Sequence, residues 1–254
     1  MRIVVLMKAV PDLVEEIELT PEGNDIDREF LKFVLNEWDD QALEEALLVK
    51  EASGGEVVAV GLAGDADIDQ SLYTAVAKGA DSAVKVIGEA TQTHERAALL
   101  AAYLRENPAD LVLTGVQAPD DLDGQLAPML AAHLGLPHVS VVVAVAVGEG
   151  AVVVRQEFAG GRSQEVSVKT PAVIGVQAAR QTPRYAPISR IRQVMQSGAL
   201  PEVAVAAEAS GSGLRVRRMY EPEKTSHAHM LTGSADEVAE KIIELIRARG
   251  LVKG

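Results

Sequence analysis

The sequence predicts an α/β protein: a parallel sheet flanked by helices, an antiparallel extension of that sheet, and an extended C-terminal arm. Three observations predict it. Between Ile3 and Leu134 short apolar runs alternate with helical stripes. From Ser140 to Lys169 the runs follow one another through short turns, as antiparallel strands do. Beyond Ala199 the chain is poor in apolar residues until a final amphipathic stretch. The length of 254 residues suits one large domain or one and a half.

In chain order, Ile3 to Met7 is the expected first strand, and Lys8 to Asp12 the loop at its carboxyl end. Ile17 to Thr20 reads as a short edge strand followed by the turn Pro21 to Asp25. Asn36 to Asp40 leads into a helix with Ala42, Leu43, Ala46, Leu47 and Lys50 at helical spacing, closed by Gly54-Gly55. Val57 to Val60 is the second strand, followed by the small-residue loop Gly61 to Gly64. A helix from Ile68 to Lys78, a strand from Ala83 to Ile87 and a helix from His94 to Glu106 come next. Leu111 to Leu113 is another buried strand, followed by a polar loop from Gln117 to Gly124 and a helix striped by Leu126, Met129, Leu130 and Leu134.

The antiparallel set comprises Ser140 to Val147, Ala151 to Phe158 and Glu165 to Lys169, joined at Gly148-Glu149-Gly150 and Gly160-Gly161. An apolar strand from Pro171 to Val176 precedes a proline-punctuated segment, Arg180 to Pro187, and a short helix from Ile188 to about Gln196. Ala199 to Gly213 has the composition of a linker. Leu214 to Met219 could form a strand, and Ser234-Ala235-Asp236-Glu237 is a capping box opening a final helix striped by Val238, Ile242, Ile243 and Ile246. The expected organisation is a domain over residues 1–198 and an arm over 199–254 that packs on another chain.

Charge and composition narrow the function. With 24 basic and 37 acidic side chains the formal net charge is −13, which argues against nucleic acid. With no cysteine there can be no disulfide, zinc-thiolate or cysteine-held cluster, so an electron carrier here has to be an organic cofactor. No apolar run approaches the ~18 residues of a membrane span, and Met1-Arg2 leads straight into a strand, so a cytoplasmic protein without membrane insertion is expected.

The strand–loop–helix unit from Asp110 to Pro137 is the first candidate site. Such a unit aims backbone N–H groups and the positive end of a helix dipole at an anion beyond the carboxyl end of the sheet. The same spacing also fits an ordinary βα turn in which Asp121 or Asp123 caps the helix.

The ordered set VLMKAVPD, VLNEWDDQALEEALLVKE, AVAKGAD, DLVLTGVQAPDDLDGQLAPMLAAHLGLP, QEFAGG, KTPAVIGV and TPRYAPISRI resembles the beta subunit of electron transfer flavoprotein, over nearly the whole chain to Ile191 and more weakly beyond. The resemblance implies a Rossmann-like, adenine-nucleotide-binding fold and a heterodimer with an alpha subunit that holds most of the flavin adenine dinucleotide (FAD). It also implies electron relay from flavin dehydrogenases such as the acyl-CoA dehydrogenases of fatty acid oxidation. The subunit itself would carry adenosine monophosphate (AMP), or a second FAD in the electron-bifurcating kind, and no catalytic residue of its own. Carried over residue by residue, the nucleotide would meet Leu6, Lys8, Asn36, Gly61, Leu62 and Ala63. Gly115, Gln117, Asp121, Asp123, Gly124, Gln125, Leu126 and Ala127 would complete its site. Gly124-Gln125-Leu126-Ala127 stands where ordinary subunits resemble Asn-Gln-Thr-Gly, and with Pro128 it is closer to the Gln-Val-Gly-Pro of the bifurcating kind. Asp123 replaces an expected Thr, and Ala159 and Gly175 also depart from the pattern.

The resemblance further implies that Leu13 and Trp38 lie near the flavin of the partner subunit, although a helix-start tryptophan also packs on its own domain. Glu157 and the segment at about 183–197, with Arg184, Tyr185, Ile188 and Ile191, would dock the partner dehydrogenase. The alternatives are a solvated strand carboxylate and an ordinary surface loop. His227 and His229 would share a strand face, but no third metal ligand accompanies them. A stand-alone nucleotide-binding α/β protein is the competing class. It is disfavoured because Asp-Asp-Leu-Asp stands where a hydrolase would carry a phosphate loop with Lys or Ser.

Overall fold

The structure is a computed structural model that describes residues 1–121, 124–206, 216–221 and 228–251. The chain forms two compact units, residues 1–217 and 218–254. In the first, β1 (Arg2–Leu6) runs into β2 (Ala9–Pro11), and after an excursion β3 (Phe33–Leu35) pairs antiparallel with β2. Then follow α1 (Glu37–Ser53), β4 (Glu56–Leu62), α2 (Ile68–Lys78), β5 (Ser82–Ile87), α3 (Thr93–Glu106), β6 (Leu111–Gly115) and α4 (Leu126–Leu134). The antiparallel strands are β7 (His138–Val147), β8 (Ala151–Phe158) and β9 (Arg162–Lys169). β10 (Ala172–Val176), α5 (Ile188–Ser197) and β11 (Glu202–Ala204) complete the unit.

Among the described residues the main sheet has nine strands in the order β11-β5-β4-β1-β6-β10-β7-β8-β9. The pairs from β11 to β7 are parallel, and β8 and β9 continue the sheet antiparallel. This is the expected α/β architecture. Alternation along β1 shows how two helical layers form. Ile3 and Val5 face α1 and α2 with Leu43, Leu47 and Leu72, while Val4 and Leu6 face α3 and α4 with Leu100, Tyr103 and Leu130.

From β1 the chain builds outward to β4 and β5, then returns to place β6 on the other side of β1. The sheet therefore has a switch point between β1 and β6, where open α/β sheets bind ligands beyond their carboxyl ends.

Several local expectations are revised. The loop expected after β1 contains β2, and Ile17 to Thr20 supplies only a bridge from Leu19 to Ile26. Gly61 and Leu62 end β4 rather than opening a loop. Within the stretch that reads as a linker, residues 202–204 form an edge strand on β5, held by Lys85, which pairs with both Asp69 and Glu202. No strand forms at 216–219, and residues 214–215 lie outside the described part. In β7, Val141 sits at a bulge with φ of 63°, a strained conformation for a β-branched residue, and pairing passes there from β10 to β8.

The second unit is built on α6 (Ala235–Ala248), opened by the capping box of Ser234 and Glu237 as the sequence predicts. None of its residues is buried, and Ile242, Ile243 and Leu245 are exposed. Among the described residues no helix is long and apolar enough to cross a membrane.

Candidate functional site

Segments following β1 and β6 meet the first turn of α1 at the switch point, and one carboxylate joins them. Asp39 accepts the backbone N–H of Lys8 (2.9 Å) through one oxygen and that of Gly115 (2.9 Å) through the other. Each of these N–H groups lies just past or at the end of its strand, so Asp39 holds β1 and β6 at a fixed spacing. A Cβ on Gly115 would stand 2.6 Å from Asp39 Oδ1 and 2.7 Å from Trp38 Cβ, so only glycine lets α1 approach this closely. Asp39 is buried, and burial pushes its pKa up to about 7. Hydrogen bonds from Asn36, Gly115 and Lys8 and the charge on Lys8 oppose that rise.

Beside it, Asn36 is almost wholly buried and donates through Nδ2 to the Gln117 carbonyl at 3.0 Å. Among the described residues its buried Oδ1 has no hydrogen-bond partner. A buried orphan acceptor is costly unless a donor reaches it. The Lys8 ammonium lies 2.6 Å from Asp120 and 3.9 Å from Asp121. Asp121 also accepts the Ala118 N–H at 3.0 Å, so this carboxylate shapes its own loop.

At the next loop along the sheet, Arg96 of α3 forms a forked pair with Asp65, with Nη1 to Oδ2 at 2.8 Å. Burial works against the guanidinium charge, and Asp65, Asp120 and Asp39 more than restore it.

The loop after β6 reaches α4 through Gly124, which has a φ of 61°, and Gln125 at the N-cap provides no side-chain cap. The first turn of α4 holds no acidic residue, and Pro128 has no N–H. The N–H groups of Leu126 and Ala127 lie at this helix start, where a helix dipole favours an anion.

The sequence-derived residues distribute unevenly around this crevice. Lys8, Asn36, Gly115, Gln117 and Asp121 come together as just described. Leu6 and Leu62 put their side chains into the core, leaving only backbone to face a ligand. Gly61 packs on Ile68, and the Ala63 N–H is bonded to the Val86 carbonyl. Asp123 lies outside the described residues, as does His227. His229 lines an open groove with Leu231 and the Lys241, Glu244 and Leu245 side of α6. Among the described residues no group of His, Asp and Glu could hold a metal ion. Asp120 is legible with Asp121 as a carboxylate of the loop after β6, whereas Asp39, Asp65 and Arg96 were not legible as site residues, because a helix-start carboxylate and a helix arginine read as solvated.

Trp38 is half-buried against Gly115, whereas Leu13 is exposed together with Val14 and Phe30. Glu157 is exposed on the β8–β9 hairpin opposite Ser163. Tyr185 and Ile188 project, at 78% and 61% exposure, while Ile191 is half-buried. Arg184 instead turns inward, donating from its backbone N–H and its guanidinium to Glu44 and reaching Glu51 at 2.7 Å. Burial pushes the Glu44 carboxyl up, but the bonds and charge of Arg184 outweigh it and leave it below its ordinary value.

The electron transfer flavoprotein domain family matches residues 25–209. A chain named electron transfer flavoprotein subunit beta from Methylophilus methylotrophus is 36% identical, covering 97% of this chain and 98% of the relative. A mitochondrial electron transfer flavoprotein subunit beta from Oryza sativa subsp. indica is 29% identical over 95% and 97%. The Caffeyl-CoA reductase-Etf complex subunit CarD of Acetobacterium woodii is 27% identical over 99% and 100%. By its strand order, its switch-point crevice and these matches, the chain belongs to the electron transfer flavoprotein family, among its beta subunits.

Proposed function

We propose that this chain pairs with an alpha subunit and relays electrons from flavin dehydrogenases, such as acyl-CoA dehydrogenases, through FAD held mainly by that partner. It carries AMP in the crevice between β1 and β6. The chain contributes a scaffold and a docking surface, and the bound flavin supplies the redox chemistry. In the same reading the protein is cytoplasmic, α6 packs on the alpha subunit, and the exposed Tyr185–Ile188 tip meets the dehydrogenase.

The observation that carries the nucleotide reading is the switch-point crevice itself, where Lys8 past β1 and the start of α4 past β6 lie at the carboxyl ends of adjacent strands. A phosphate suits Lys8 and the α4 N–H groups. Asp120 and Asp121 at Lys8 favour one phosphate over two, since each added charge meets carboxylates at short range. A second FAD in place of AMP is favoured by one feature, the Leu126-Ala127-Pro128 helix start.

Denaturing the purified heterodimer and separating its released cofactors tests the choice. One FAD and one AMP per heterodimer are expected; two flavins with no monophosphate overturn the AMP reading.

A further inference from the structure

Residues 179–184 run along α1 and are fastened to it by acidic and amide side chains of that one helix. Gln41 accepts the Ala179 N–H at 2.9 Å. Glu45, wholly buried, accepts the Arg180 N–H at 3.1 Å and its Nε at 2.8 Å, and also takes the Val145 N–H of β7 at 2.6 Å. Glu44, also buried, accepts the Arg184 N–H at 2.9 Å and is met by Nε and Nη2 of the same residue. Ala186 is buried next to Tyr185, and α5 begins two residues later. Buried carboxylates inside a helix are rare unless something specific holds them. Here each takes both a backbone N–H and a guanidinium from the same short segment, which fixes the segment's path as well as its charge.

We propose that Glu44 and Glu45 are positioning residues for partner docking: by clamping Arg184 and Arg180 they fix where Tyr185 and Ile188 stand out from the surface. The inference rests on the docking role proposed above for that tip. It reassigns Arg184 from a contact with the dehydrogenase to the inner half of a clamp. It also makes α1 the common support of two sites, since Asn36 at its N-cap and Asp39 in its first turn line the nucleotide crevice.

The test uses the intact heterodimer and an acyl-CoA dehydrogenase of the same organism, chosen because it reduces the wild-type protein. Glu44→Gln keeps the side-chain shape but sets an amide against the donors of Arg184. It is expected to raise the KM for the dehydrogenase about tenfold, at near wild-type kcat, flavin spectrum and nucleotide content. Amides at 179–186 are expected to exchange faster in the same variant. Glu44→Gln combined with Arg184→Gln is expected to cost no more than either change alone, because both act through one contact. If Glu44→Gln does not fold, Arg184→Lys provides the same reading, as lysine cannot make the fork. Ile188→Ala is the control for docking itself. A raised KM in Ile188→Ala with wild-type KM in the clamp variants overturns the positioning role alone. An unchanged KM in both overturns docking at this tip and the inference with it.

Discussion

Asp39 is the residue whose chemistry reaches furthest. Its carboxyl has an ordinary pKa of 3.8 and a folded value of about 7. Between these values the folded chain holds a proton that the unfolded chain has already released. The stability linked to this group is therefore complete below pH 4 and falls as the pH rises to 7. At about 1.36 kcal/mol per unit, the swing is at most roughly 4 kcal/mol. Asp39→Asn lowers stability at every pH, because its amide N–H₂ must face one of the two backbone N–H groups. It also removes the proton linkage. Denaturant titrations from pH 4 to 8 are expected to show the wild type losing stability faster than the variant, and equal slopes would exclude Asp39 as the titrating group.

At the scale of elements, α4 makes the sharpest trade. An acid at its N-cap would accept from first-turn N–H groups that a phosphate otherwise uses. Gln125→Asp is expected to stabilise the helix by about 0.5–1 kcal/mol. It is also expected to weaken AMP binding by about 1 kcal/mol, since the new charge meets the anion. Thermal melts read the first effect and calorimetric titration with AMP the second; tighter AMP binding would remove α4 from the phosphate site. Elements of this kind were legible from sequence because their apolar periods are long. The helix stripe from Ala42 to Lys50 and the runs at Ile3 and Leu111 each announce themselves. The three-residue strands β2, β3 and β11 carry no period, and β11 lies in a stretch whose composition suits a linker. The crevice was legible where backbone geometry makes it, at Gly115 and Gly124. Asp39 of the crevice and Glu44 and Glu45 of the clamp were hidden, because they owe their burial to partners tens of residues away in the chain.

For the whole molecule, the division after residue 217 is itself testable. A chain ending at Arg217 retains both cores of the sheet and is expected to melt within about 3 °C of the full chain, the scale of a change below 1 kcal/mol. It is expected to lose its alpha subunit on gel filtration, since the exposed Ile242, Ile243 and Leu245 go with the arm. A truncated chain that still co-elutes with the alpha subunit would relocate the interface to the first unit.

The two ends of the nine-stranded sheet bear on how such a chain survives before it meets its partner. A long bare strand edge is a template on which another copy can add its own backbone. At one margin stands β11, only three residues long and flanked by Pro201, whose carbonyl is taken by the Lys85 N–H. At the other stands β9, whose residues alternate through Arg162, Gln164 and Glu165 to Lys169, mostly exposed and charged or polar. Neither margin offers a flat apolar strand to copy. Edge-to-edge pairing of newly made chains is thereby discouraged, and the apolar groups they still expose, Tyr185 and Ile188 at the docking tip and the stripe of α6 among them, are ones suited to partners.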